Sequence, residues 1–250
     1  MRLKDYRALL VGAASGIGRE TALAFVHEGA RVAVIDVNEL EAIHAVELLE
    51  GEGGNVTFVK ADVACEPQLR EAILAAASFL GGVDVLAQFV GVQRAGTVEG
   101  FPTEDWERVF AVNVRSQFLG AKYTIPFLRQ SERGVIINMA SAAGIKGGPG
   151  LTAYAASKGA VIAFTRALAA ELAPSIRVNS VSPGWIDTPF NQPAIEFMHG
   201  LERVNAIVRD TVPLRRQGVP KEVAPCFVFL ACEDCAYITG QNIVVDGGRL

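Results

Sequence analysis

The amino-acid sequence predicts an α/β fold, a doubly wound parallel sheet with helices on both faces. Short apolar runs, typical of buried strands, alternate along the whole chain with longer segments of helical periodicity. Elements that alternate in this way form parallel sheets covered by helices. A glycine-rich turn also separates the first strand from the first helix. Because no linker rich in Gly, Ser or Pro interrupts the chain, we expect a single domain over residues 1–250.

The first unit is predicted as strand, helix and strand over residues 8–11, 17–28 and 31–36. Gly12, Gly16 and Gly18 lie between its first strand and its helix, where glycine permits a tight turn and a close approach of the backbone to a ligand. The helix N-terminus then offers N–H groups and a positive dipole end to a pyrophosphate. Asp36 ends the second strand, where a carboxylate can accept hydrogen bonds from two ribose hydroxyls and repels a 2′-phosphate. An ordinary turn is the alternative interpretation of the glycines.

The same alternation continues to the end of the chain. Further strands are predicted over residues 56–61, 83–90, 134–139, 176–181 and 242–245. Further helices are predicted over residues 39–50, 66–80, 103–129, 152–172 and 221–232. Pro126 falls late in the long fourth helix, which it is expected to kink or end. The segment 185–218 shows the least regular pattern.

Five positions follow or end predicted strands, namely Asp36, Asp62, Gly91, Ser141 and Pro183. In open parallel sheets, ligands bind outside the carboxyl ends of the strands. We therefore expect these distant positions to meet at one edge of the sheet and to form a site there.

Tyr154 and Lys158 are four residues apart in a predicted helix, so they lie on one face, one turn apart. An ammonium beside a phenol favours the phenolate, which predicts a tyrosine pKa lowered toward neutral. A general acid or base works best with its pKa near the operating pH. An Ala-rich helix can also carry Tyr and Lys at this spacing without any function.

Composition excludes several classes of protein. The net charge of −4 and the lack of a basic stripe argue against a nucleic-acid partner. No apolar run approaches the roughly 20 residues of a membrane span, and no signal peptide is expected. A Cys-x-x-Cys pair at Cys232 and Cys235 has neither a second pair nor a His cluster, so we expect reduced cysteines, no metal site and a cytoplasmic location.

Several motifs occur together and in a fixed order. They are Gly12-x-x-x-Gly16-x-Gly18, Asp62-Val63, Asn113, Ser141, the YAASK string from Tyr154 to Lys158, and Pro183-Gly184 with Thr188. With these motifs the chain resembles the short-chain dehydrogenase/reductase family over essentially its whole length. The resemblance implies a Rossmann-like sheet of about seven strands. It also implies a nicotinamide dinucleotide cofactor and an alcohol or carbonyl substrate.

The resemblance implies a role for each catalytic position. Tyr154 would be the general acid/base at the substrate oxygen, and Ser141 would hydrogen-bond that oxygen. Lys158 would bind the nicotinamide ribose and lower the pKa of Tyr154. Asn113 would hold a water that links Lys158 to solvent.

The implied cofactor-binding residues extend along the whole carboxyl edge of the sheet. Asp62 and Val63 would meet the adenine, and Gly184, Ile186 and Thr188 the nicotinamide. The full set is Gly12, Ser15, Gly16, Ile17, Gly18, Asp36, Val37, Asp62, Val63, Gly91, Tyr154, Lys158, Pro183, Gly184, Ile186 and Thr188.

Two departures from the family pattern stand out. Val11 replaces the usual Thr before the first glycine, and Gln88-Phe89-Val90 replaces the family's Asn-Asn-Ala. Those Asn residues normally tie the central strands together, so that support has to come from other residues here.

The cofactor is expected to be NAD in preference to NADP, because Asp36 and its neighbours supply no cation for a 2′-phosphate. The segment 185–218 would be the substrate lid, and its residues predict a mostly apolar pocket. Candidate substrate contacts are Gln93, Ser141, Lys146, Trp185 and Phe190. Lys146 could meet an anionic or acyl-carrier substrate, or simply be solvated.

We therefore expect an NAD-dependent oxidoreductase that interconverts a secondary alcohol and a ketone, assembled as the homotetramer common in the family. One alternative is an NADPH-dependent 3-oxoacyl-[acyl-carrier-protein] reductase, against which Asp36 speaks. A more remote alternative is a non-catalytic dinucleotide-binding protein.

Overall fold

The central sheet has seven parallel strands in the order β3-β2-β1-β4-β5-β6-β7. A computed structural model describes all residues, 1–250. The strands are β1 Arg7–Val11, β2 Arg31–Asp36, β3 Val56–Lys60, β4 Val85–Gln88, β5 Gly134–Met139, β6 Ile176–Pro183 and β7 Asn242–Val245. The chain runs outward from β1 to one edge and then from β4 to the other, so the order reverses between β1 and β4. The predicted doubly wound α/β fold is confirmed.

Helices cover both faces of the sheet. They are α1 Gly16–His27, α2 Glu39–Gly51, α3 Glu66–Leu80, α4 Thr103–Phe110, α5 Ser116–Leu128, α6 Ala143–Lys146, α7 Thr152–Leu172, α8 Gln192–Phe197, α9 Leu201–Thr211 and α10 Pro220–Ala231. One apolar core joins α1 and α10 to the sheet, and a second joins α3, α5 and α7 to its other face. None of the helices is long and apolar enough to cross a membrane.

The fourth strand is shorter than the predicted 83–90. Its neighbour β1 ends at Val11, which pairs with Gln88, and the N–H of Phe89 makes a last hydrogen bond to the carbonyl oxygen of Val11. At the other end, the Asp84 N–H donates to the carbonyl oxygen of Arg7 and its carbonyl oxygen accepts from Val135, while its carboxylate accepts from the backbone and guanidinium of Arg7. The residues after Gln88 therefore leave the sheet at its carboxyl edge.

The predicted helix 103–129 is interrupted by a π turn, Ala111–Arg115, between α4 and α5. Asn113 lies at the centre of this turn, and its side chain is fully buried. Its amide binds the backbone of Val92 as both donor and acceptor, at 3.0 and 2.7 Å. Pro126 lies inside α5, which ends at Leu128, two residues later.

The segment 185–218, predicted as irregular, contains the two helices α8 and α9. Val204 and Val208 of α9 pack with Leu151 and Trp185 in a small apolar cluster, so the segment covers the region beyond β5 and β6. Prolines and glycines occur throughout this segment, and they interrupt the helical periodicity by which the two short helices could be predicted.

Candidate active site

The glycine turn after β1 is built for close packing. Gly12 has φ +80°, and a Cβ atom there would lie 2.6 Å from Cγ2 of Val90. A Cβ on Gly18 would lie 2.5 Å from the carbonyl oxygen of Gly12, so the first turn of α1 rests directly on the loop. Ser15 precedes α1, and its side chain makes no capping hydrogen bond. The first N–H groups of the helix, which lack intrahelical partners, therefore face the loop as an anion site.

Asp36 is fixed at the end of β2 by two backbone N–H groups. Its carboxylate oxygens accept hydrogen bonds from Ala14 at 3.1 Å and from Asn38 at 3.0 Å. Ala14 belongs to the glycine loop, so the carboxylate is held beside that loop. Two oxygens carry about four acceptor positions, which leaves capacity for a pair of ribose hydroxyls.

Three of the four predicted catalytic side chains lie around the carboxyl end of β5. Ser141 follows β5 by two residues, and its hydroxyl oxygen accepts a hydrogen bond from the N–H of Ala143 at 3.1 Å. Tyr154 and Lys158 both project from α7 and are buried. The Lys158 ammonium donates to the carbonyl oxygen of Met139 at 2.9 Å and lies 5.9 Å from the centre of the Tyr154 ring.

Burial dominates the titration of both groups. It raises the pKa of Tyr154 to about 12, a rise that the Ser141 hydroxyl opposes. It also lowers the pKa of Lys158 to about 7. The predicted fall of the tyrosine pKa toward neutral is therefore wrong for this structure, because desolvation penalises the phenolate and the ammonium alike.

Asn113 is buried beneath the residues of the site. Besides its bonds to Val92, its amide donates to the hydroxyl of Ser157 at 3.0 Å, and that hydroxyl donates to the carbonyl oxygen of Tyr154 at 2.7 Å. All of the side chain's bonds thus tie the loop after β4 to helix α7. A Cβ on Gly91 would lie 3.5 Å from both Oδ1 of Asn113 and Nζ of Lys158, so glycine keeps this approach to the ammonium open.

A single cavity of about 820 Å³ runs along the carboxyl edge of the sheet. All predicted cofactor and substrate residues line this cavity, from the glycine loop to the lid. Asn113 is the one predicted site residue that does not line it. On the lid side, the Phe190 ring packs 5.8 Å from the Tyr154 ring, centre to centre.

Sequence reasoning missed several residues that line this cavity, namely Arg19, Asn38, Glu41, Arg108, Asp187 and Arg249. Arg19 and Asn38 could have been found from their spacing, since they follow Gly18 and Asp36 by one and two residues. No sequence motif around Arg249 predicts a role in the site, because Arg249 reaches the cavity only through the path of the chain after β7.

No group of three or more His, Cys, Asp or Glu side chains is arranged to hold a metal ion. The four cysteines are free, and burial raises the pKa of Cys226, Cys232 and Cys235.

Comparison with known proteins identifies the family of this chain. A family model described as Enoyl-(Acyl carrier protein) reductase matches residues 12–249. The 3-oxoacyl-[acyl-carrier-protein] reductase FabG of Thermotoga maritima is 39% identical over 99% of each chain. The chain belongs to the short-chain dehydrogenase/reductase family.

Other relatives in this family differ in what they act on. Cyclopentanol dehydrogenase of a Comamonas species is 36% identical over 99% of this chain and 98% of its own length. The 2-(R)-hydroxypropyl-CoM dehydrogenase of Xanthobacter autotrophicus is 37% identical over 96% of each chain. The protein is thus an oxidoreductase of a family that uses nicotinamide dinucleotides, and these relatives leave its substrate open.

The structure explains how this family member replaces the usual Asn at position 88. The longer Gln88 amide donates to the carbonyl oxygen of Gln117 at 3.1 Å and to Oδ1 of Asn138 at 3.0 Å. Asn138 in turn donates to the Thr165 hydroxyl at 3.0 Å. The buried network therefore links β4, β5, α5 and α7, and it supplies the support that the missing Asn pair would give.

Proposed function

We propose that this protein is an NAD-dependent dehydrogenase/reductase that interconverts a secondary alcohol and a ketone, with Tyr154 as general acid/base. The observation that carries the proposal is one cavity that joins Ser141, Tyr154 and Lys158 to the anchored carboxylate of Asp36. The first three supply proton-transfer chemistry, and the fourth supplies a ribose acceptor.

The residues that line the cavity at the carboxyl edge of the sheet are suited to a nicotinamide dinucleotide. The glycine loop and the N-terminus of α1 would bind the pyrophosphate, Asp36 the adenosine ribose, and Lys158 the nicotinamide ribose. Such a cofactor would supply the hydride chemistry at the carbinol carbon in both directions. The other cofactor-binding residues are proposed because they line the same cavity. Asp62 and Val63 would contact the adenine, and Ile186 and Thr188 the nicotinamide.

The chain's own residues move the proton. In reduction, the O–H bond of Tyr154 breaks as its proton passes to the carbonyl oxygen, while the Ser141 hydroxyl donates a hydrogen bond to that oxygen. A phenol with a raised pKa holds its proton at neutral pH, as a general acid for reduction requires. In oxidation Tyr154 would act as the phenolate and accept the alcohol proton to form the phenol, and a charged Lys158 favours that phenolate.

Asp36 supports NAD over NADP. A 2′-phosphate placed at the adenosine ribose would meet a carboxylate that two backbone amides hold in place, and like charges repel. Val37, the next residue, offers no cation.

One relative favours a second candidate, an NADPH-dependent 3-oxoacyl-[acyl-carrier-protein] reductase, because the Thermotoga FabG is 39% identical to this chain. Asp36 opposes that candidate, and the preferred cofactor separates the two. The remote alternative, a non-catalytic dinucleotide-binding protein, predicts NAD binding without turnover.

We further propose that residues 1–250 act as one domain, with 185–218 as a substrate lid. A cytoplasmic homotetramer completes the proposal, and light scattering that gives a stable monomer would contradict the assembly.

The test is the substitution Tyr154→Phe, which removes one hydroxyl from the site. We expect alcohol oxidation with NAD to fall by at least about 100-fold, the lower range for a lost general acid/base, while calorimetry shows NAD binding little changed. Tyr237→Phe is the matched control, because Tyr237 is fully exposed. Turnover retained by Tyr154→Phe would refute the assignment.

A further inference from the structure

Three residues that line the substrate end of the cavity each hold a buried polar side-chain atom without a hydrogen-bond partner. These atoms are Oε1 of Gln93, Nε1 of Trp185 and Nε of Arg249. Gln93 is only 5% exposed and Trp185 only 8%. Buried polar groups are almost always paired in folded proteins, because leaving one unpaired is destabilising. Three such residues around one end of the cavity favour a polar ligand there.

The charge at this end of the cavity is positive. The Arg249 guanidinium forms no ion pair within the protein and lies 5.8 Å above the Trp185 ring. Lys146 lies next to it, and its ammonium donates to the carbonyl oxygen of Arg249 at 3.3 Å. Two unpaired cations and the indole N–H donor of Trp185 thus occupy the same region.

The charge of Asp246 acts on Arg249, but the two side chains form no ion pair. Both oxygens of Asp246 accept backbone hydrogen bonds, from Gly248 at 2.8 Å and from Leu250 at 2.9 Å. These bonds hold the chain after β7 in the turn that carries Arg249 to the cavity.

The other carboxylates of the cavity are mostly at its opposite end. Asp36, Glu41 and Asp62 belong to the β2 and β3 side of the sheet, two strands or more from β5. Asp187, after β6, is the one carboxylate on the substrate side. Among the side chains that line that side, the cations of Lys146 and Arg249 accompany the single carboxylate of Asp187.

The surroundings strengthen the preference for an anion at this end. Trp185 packs in the apolar cluster that the lid forms with Leu151, Val204 and Val208. An anion bound against such a wall is poorly screened by water, so its attraction to a guanidinium is stronger than at a surface.

We propose that the substrate carries an anionic group, a carboxylate or another oxyanion of similar size, which binds to Arg249 and the indole N–H of Trp185. The inference rests on the proposed function, because it names the substrate class of that same site as hydroxy acids and oxo acids. Lys146 adds a second positive charge at the mouth. Gln93 offers its amide to a further polar group of the substrate.

The experiment compares hydroxy acids with their neutral methyl esters. The probes are 2-hydroxybutanoate, 3-hydroxybutanoate and 4-hydroxypentanoate, which vary the distance between the carbinol carbon and the carboxylate. For the best acid, we expect a higher kcat/KM than for its ester. Arg249→Met should reduce that acid-to-ester ratio by about 10- to 100-fold, mainly through KM, as for a lost hydrogen bond to a charged group.

Matched variants separate charge from packing. Arg249→Lys should recover part of the ratio, and Trp185→Phe, which keeps an aromatic ring without the N–H, should lower it on its own. Arg70→Met is the control, because Arg70 is exposed on α3, outside the cavity. It should leave the ratio unchanged.

A binding measurement keeps this inference distinguishable from the proposed function. Calorimetry would follow the oxo-acid anions binding to the protein with NAD. Turnover of esters without any preference for acids, and without an effect of Arg249→Met, would overturn the anion site and leave the proposed function standing. Binding of the anions that depends on Arg249, with no turnover of any probe, would support the site and overturn the proposed function. If no probe is turned over and no anion binding depends on Arg249, the anion site and the proposed function are both overturned.

Discussion

The buried ammonium of Lys158 predicts a specific dependence of stability on pH. Burial lowers the pKa of Lys158 from 10.5 to about 7 in the folded protein. Between these two values the unfolded chain binds the proton and most folded molecules do not, so the free energy of unfolding rises with pH. The burial cost is fully present below pH 7 and disappears above the unfolded pKa. Integrating from pH 7 to pH 9 gives a gain of about 2 kcal/mol.

The substitution Lys158→Met removes this titration and keeps the length of the side chain. We expect the free energy of unfolding of the wild type to increase by about 2 kcal/mol more than that of the variant between pH 7 and pH 9. Urea unfolding without added nucleotide, followed by tryptophan fluorescence, measures the difference. Lys4→Met, at an exposed position, should follow the wild type. Equal pH dependence of wild type and Lys158→Met would refute the reasoning.

Three further predictions concern the cofactor end and the core. Asp36→Ala combined with Val37→Arg should shift the ratio of kcat/KM with NAD to kcat/KM with NADP toward NADP by at least about tenfold. The double variant loses the carboxylate that repels the 2′-phosphate and gains a guanidinium that attracts it. An unchanged ratio in steady-state kinetics would count against Asp36 as the selector. Gln88→Leu removes two buried hydrogen bonds and should lower stability by about 1–3 kcal/mol, measured by urea unfolding. A loss below the error of that measurement would contradict the network. Gly12→Ala adds a Cβ within 2.6 Å of Val90 at a positive φ and should weaken NAD binding in calorimetry, whereas unchanged affinity would argue against this tight turn.

Much of the fold could be predicted because buried parallel strands produce short apolar runs. Strands β2, β5 and β7 have the predicted bounds, and helices α3 and α7 do as well. Strand β4 was predicted too long, because its apolar residues continue past the point where β1 ends. A strand's length depends on its neighbours, and a single segment does not reveal them.

The site could be predicted only where it depends on local motifs. The glycine turn, Asp36 and the pair Tyr154 and Lys158 follow from spacing along strands and helices. The π turn at Asn113 depends instead on hydrogen bonds to Val92, twenty-one residues away in the chain.

Two further features depend on tertiary structure in the same way. The pKa shifts of Tyr154 and Lys158 come from burial, which the helical spacing does not reveal. Arg249 enters the cavity because the turn after β7 directs it there, with no motif around it.

The central claim is that this family member oxidises a secondary alcohol with NAD through Tyr154. The most direct measurement is the absorbance of reduced nicotinamide formed by the wild type and by Tyr154→Phe. Each would receive NAD and then NADP, with a panel of cyclic, aryl, sugar and hydroxyacyl secondary alcohols and hydroxy acids. We predict turnover that is more efficient with NAD than with NADP and that is lost in the variant. Measurable NAD binding without oxidation of any alcohol, or a clear preference for NADP, would contradict the account.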